Sequence, residues 1–74
     1  MSTNAVLSQV QLTPRELEIV QLLAEGKTSR EAGASLGIST KTAETHRSNV
    51  MRKLALRSIA ELVRYAIKNK IVEA

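Results

Sequence analysis

A chain of 74 residues with a net charge of +4 is one small domain that cannot bury a large core. It has no Cys, so neither a disulfide framework nor a thiolate metal site staples it, and one Tyr with no Phe or Trp makes the core aliphatic. No cationic leader precedes an apolar run and no apolar stretch approaches the roughly 20 residues of a membrane span, so a cytoplasmic protein without a membrane segment is expected.

Residues 1–11 (MSTNAVLSQVQ) carry no charge and no periodicity and read as a disordered arm, with a single domain over 12–74. Thr13-Pro14-Arg15-Glu16 is a start signal: Thr13 is the N-cap, Pro14 takes the first helical position, and Glu16 completes a capping box. Leu17, Val20, Leu23 and Ala24 follow at core spacing, Leu12 is placed to staple back, and Gly26 ends a helix over residues 14–25. Thr28-Ser29-Arg30-Glu31 repeats the box and opens a short helix over 29–36, closed by Gly37. Ile38 plugs the turn, and Ser39 caps a long helix over 40–54. After a link at Ala55-Leu56-Arg57, Ser58-Ile59-Ala60-Glu61 is a third capping box, opening a helix over 59–68. Its apolar set is Ile59, Leu62, Val63, Ala66 and Ile67, with Ile71 and Val72 packing back as a tail. That set is wide for so small a body, so part of it is expected to face a second copy. Strand alternation is absent, and the fold class is all-α: a compact bundle of four helices.

The long helix carries the functional signal. With Val50 at the centre of its inner face, 100° per residue brings Ala43 and Leu54 beside it and puts His46 and Arg47 on the flanks. The opposite face collects Lys41, Glu44, Thr45, Ser48 and Arg52. Residues 1–40 carry a net −1, residues 41–57 a net +4, and residues 58–74 a net +1. A basic face localised in this way is the footprint of a phosphate-backbone binder, although a solvated helix face would account for a modest excess too. A short helix, a tight Gly-containing turn and a longer helix are the helix-turn-helix layout, whose second helix is presented to the major groove.

Together, Leu12-Thr13-Pro14-Arg15-Glu16-Leu17-Glu18, Leu22-Leu23-Ala24-Glu25-Gly26-Lys27-Thr28, Leu36-Gly37-Ile38-Ser39, Lys41-Thr42, Glu44-Thr45-His46 and Asn49-Val50-Met51-Arg52-Lys53-Leu54 closely resemble the LuxR/GerE-type helix-turn-helix domain. That domain is the DNA-binding module of NarL/FixJ-type response regulators and of quorum-sensing regulators, and the resemblance runs over about residues 12–70. It implies four helices, the third entering the major groove of double-stranded DNA and the fourth pairing two copies on a two-fold-related site. By this resemblance Lys41, Glu44, Thr45 and Ser48 occupy base-reading positions, and Thr42, His46, Asn49 and Lys53 lie near phosphates. The dimer would form through Ile59, Leu62, Val63 and Ala66. Ala32 and Ala43 stand where larger residues are usual, Gly33 falls inside a helix, and Ala55 stands where Gly is usual. Losing an Ile side chain at Ala32 would cost roughly 2–4 kcal/mol without repacking, and a helical Gly about 1 kcal/mol. A less stable copy with a loosened second helix is therefore expected.

Side-chain chemistry suggests how each contact would work. Lys41 can reach guanine acceptors or a phosphate, Glu44 can accept from a cytosine amino group, and Thr45 can offer its methyl to thymine. Ser48 is short and suited to contact through water. Arg52, Lys53 and Arg57 would neutralise phosphates, as would the start of the second helix with Ser29 and Lys27. Glu44 is the odd residue on an anion-binding face: it serves solubility, pairs with a neighbour such as Arg47, or acts as a filter against non-cognate bases. His46 has no partner that would make it a catalyst, and neither a nucleophile with its base, a phosphate loop nor a metal cluster is present, so no enzyme, cofactor or small-molecule ligand is expected. Two other readings remain open: a sigma-factor-like promoter-reading domain, and a basic protein-interaction module docking on a partner such as an RNA polymerase subunit.

Overall fold

The computed structural model describes residues 12–73; the arm expected over residues 1–11 lies outside them. Four helices follow in order: α1 Pro14–Ala24, α2 Ser29–Leu36, α3 Thr40–Lys53 and α4 Ile59–Lys68. Each N-terminus is closed by a hydroxyl. In α1, Thr13 Oγ1 accepts from the Glu16 amide at 3.1 Å while Glu16 Oε1 accepts from the Thr13 amide at 2.8 Å. Thr28 and Glu31 form the same reciprocal pair in α2, at 2.9 and 3.1 Å. The third box is only half formed. Ser58 Oγ accepts from the Glu61 amide, but the Glu61 carboxylate reaches one residue further back, to the Arg57 amide at 2.7 Å.

The four C-termini share one device. A residue with positive φ follows the last turn, its amide donates to the carbonyl three residues back, and the next amide donates five residues back. These bonds are Gly26→Leu23 with Lys27→Leu22, Gly37→Ala34 with Ile38→Gly33, Ala55→Arg52 with Leu56→Met51, and Lys70→Ile67 with Ile71→Ala66. Glycine supplies the left-handed residue at the first two ends, but Ala55 (φ 54°) and Lys70 (φ 58°) supply it at the others. The expected Gly-to-Ala departure at 55 therefore falls at a strained position.

The core is Ile19, Val20 and Leu23 of α1, Ala32 of α2, Ala43 and Val50 of α3, and Leu62 and Ala66 of α4. α1 lies against each of the other three helices, and α2 packs on α3. Leu17, expected inside, is 41% exposed, whereas Ile19 is 1% exposed. The inner seam of α1 runs Glu16–Ile19–Val20–Leu23, and its first position is a carboxylate rather than an apolar residue. A phase set by apolar residues alone therefore slips by one.

Gly33 also differs from expectation. A Cβ there would sit 2.9 Å from the Ile38 carbonyl oxygen and 3.1 Å from that of Ser39. The missing side chain lets the turn backbone close onto α2, so this glycine is required by space rather than a defect in the helix. Both caps of α2 are complete and Ala32 is fully buried.

Candidate nucleic-acid interface

α3 presents one face to its own domain and the other to solvent. Ala43 and Val50 are sealed inside, His46 and Asn49 lie half-buried at the edges, and Lys41, Thr42, Glu44, Thr45, Ser48 and Arg52 are exposed. Its start is pinned by Ser39, whose Oγ accepts from the Thr42 amide at 3.0 Å and donates to Thr42 Oγ1 at 2.9 Å. Lys41, Glu44, Thr45 and Ser48 line one open depression with Thr40 and Asn49. Within it the Thr45 hydroxyl donates to the Lys41 carbonyl at 3.1 Å, which leaves the methyl as the free group of that side chain. One turn further on, Arg52 Nη2 donates to Asn49 Oδ1 at 2.8 Å, aligning a guanidinium along the same helix. Arg52 and Lys53 lie in the last turn of α3, where the helix dipole favours cations.

Three groups of expected contacts find different surroundings. Lys53 Nζ lies 2.8 Å from Glu16 Oε1, so its ammonium rests on a carboxylate that is 3% exposed rather than free for phosphate. Burial acts to raise the Glu16 pKa. The Lys53 hydrogen bond, the Thr13 amide and the Lys53 charge outweigh it and hold the carboxyl below its ordinary value of 4.5. Sequence spacing gives no sign of this pair, because the partners stand 37 residues apart.

At the start of α2, beside Lys27 and Ser29, the Glu31 carboxylate already occupies the cap. The Thr28 amide chiefly lowers its pKa, slight burial opposes this, and the Thr28 hydroxyl and the Lys27 charge lower it further. Leu62 and Ala66, expected to face a second copy, are fully buried in the domain's own core. They are not available to a partner. Of that set, Ile59 (44% exposed) and half-buried Val63 reach the surface, joined by Ile67 (38%). The Arg57 side chain stays exposed while its amide is held by Glu61.

Glu44 is in neither of the two ion pairs among the described residues, Arg15–Glu18 and Lys53–Glu16. The pair with Arg47 is not made. Among the described residues no group of His, Asp or Glu side chains could hold a metal, and no helix is long and apolar enough to cross a membrane.

The family model for bacterial regulatory proteins of the luxR family matches residues 10–66. The chain is 51% identical over 61 residues to the response regulatory protein YgeK of Escherichia coli, covering 82% of this chain and 42% of that protein. It is 47% identical over 62 residues to the oxygen regulatory protein NreC of Staphylococcus aureus, covering 84% and 29%. It is 46% identical over 61 residues to the transcriptional regulatory protein MctR of Rhizobium johnstonii, covering 82% and 28%. The chain thus spans less than half the length of each of these relatives. No solved structure matches it.

Proposed function

The chain belongs to the luxR family of bacterial regulatory proteins, transcription regulators rather than enzymes, and from that premise we propose that it binds double-stranded DNA by laying α3 in the major groove. The observation that carries this reading is a depression on the exposed face of α3, where Lys41, Glu44, Thr45 and Ser48 stand together on a helix seated along its opposite seam. A helix of this width fits the groove, and these side chains reach base edges while Arg52, Asn49, Thr42 and Arg57 meet phosphates. Two copies bind inverted half-sites about one helical turn apart, pairing through the exposed shoulder of α4 at Ile59, Val63 and Ile67. The setting is the cytoplasm of a bacterium, with RNA polymerase a further partner.

Fluorescence anisotropy with a duplex of mixed sequence, across a salt series, tests the reading. Binding with a Kd of roughly 10⁻⁴–10⁻⁶ M that weakens steeply with salt is expected, with further weakening in Lys41→Ala. No binding at low salt would sink it, and the basic face would then belong to a protein partner. Binding to a single half-site as tightly as to an inverted pair would turn the reading toward a sigma-factor-like domain.

A further inference from the structure

We infer that Glu44 is the residue that sets which sequence this domain prefers, by demanding cytosine opposite it in the groove. The inference rests on the DNA-binding reading above and narrows it to a base. Lys41 and Glu44 are neighbours on the exposed face, three residues apart, and line the same depression, yet no ion pair joins them, nor does one join Glu44 to Arg47. Among the described residues no cation lies within ion-pair distance of this carboxylate. Two things follow from its chemistry.

First, a carboxylate that only accepts hydrogen bonds is repelled by phosphates and by groove edges that only accept. In the major groove guanine offers N7 and O6 and thymine offers O4, so both are disfavoured. Adenine offers its N6 donor beside the N7 acceptor. Cytosine alone presents a donor, N4, with no acceptor on its own edge. Second, the guanine paired with that cytosine presents two acceptors, which the Lys41 ammonium one turn away is suited to meet. A donor and an unpaired acceptor side by side match a G·C pair in one orientation. Thr45, with its hydroxyl held by the Lys41 carbonyl, adds an apolar methyl suited to thymine at a neighbouring step. Glu44 thus weakens binding to most duplexes and restores it where cytosine donates.

Selection from a random duplex pool with the parent and with Glu44→Gln tests this, followed by anisotropy on the selected site and on generic duplex. Because Glu44 is exposed, the variant keeps the fold, which circular dichroism checks. The parent is expected to enrich a fixed C in each half-site, and changing it to T costs about tenfold or more in affinity. Glu44→Gln is expected to bind generic duplex more tightly, lose that penalty, and move its enrichment toward adenine, which a glutamine amide pairs at N6 and N7. A parent that binds duplex without preferring C, or a Glu44→Gln that keeps the same preference, overturns the inference. A parent that binds no duplex at any salt overturns the DNA-binding reading itself.

Discussion

Ala43 and Val50 on the inner side of α3 are sealed against the rest of the core, whereas Lys41, Glu44, Thr45 and Ser48, a turn or less away along the same helix, face solvent. The inner side holds the helix in place and the outer side takes no part in the core, so substitutions on the two sides of one helix should have separable effects. Arg52 and Lys53 repeat the contrast at its far end. The first is exposed and aligned by Asn49, while the second is drawn inward onto Glu16.

Substitutions can break or sharpen that contrast. The largest effect is expected from Val50→Ala, which removes two fully buried methyl groups and leaves a cavity, costing about 2–3 kcal/mol in urea unfolding. Duplex affinity of the protein that remains folded should not change. Lys53→Met comes next, because it strands a buried carboxylate and costs about 1–3 kcal/mol, nearer the low end since Lys53 is partly exposed.

The same variant has a pH signature. The Glu16 carboxyl is held below its ordinary value in the folded protein, so its contribution to stability is present above that value and lost as pH falls through the folded pKa. Without Lys53, burial is less opposed and the folded pKa rises, so acid unfolding monitored by circular dichroism should begin at a higher pH. The two cations can also be told apart by salt. Arg52→Gln should lower the slope of log affinity against log salt by about 0.9, while Lys53→Met leaves it nearly unchanged. A drop of equal size in both would mean that Lys53 leaves Glu16 for a phosphate. The smallest change is a gain. Ala55→Gly should stabilise the domain by about 0.5–1 kcal/mol, visible as a rise in melting temperature, because φ 54° strains alanine and that side chain is exposed.

Much of the fold was legible because it is written locally. Thr13, Thr28, Ser39 and Ser58 start helices with hydroxyls that need only nearby amides, and Gly26 and Gly37 end them. The outer face of α3 was legible too, since residues 41, 44, 45 and 48 share a face through helical periodicity alone. What escaped depends on contacts distant in sequence. The Glu16–Lys53 pair joins helices that no spacing relates, and it makes the α1 seam start on a charge, which turned Leu17 outward and Ile19 in. Gly33 reads as a weak helix former until the turn carbonyls of Ile38 and Ser39 are placed against it. Leu62 and Ala66 read as surplus apolar surface until the bundle closes over them.

The shared closure of the four helix ends bears on how such a chain tolerates sequence drift. Each reversal is drawn by two backbone bonds and one left-handed residue, so the remaining loop positions are freed from specifying it. Gly26 and Gly37 are constrained by torsion, with open space where a side chain would go, while Gly33 is constrained by volume at an ordinary torsion. Ala55 and Lys70 mark ends where the same reversal survives a residue ill suited to it. The loops can therefore diverge around a fixed path, which leaves the exposed face of α3 free to vary while the angle at which that helix is held stays the same.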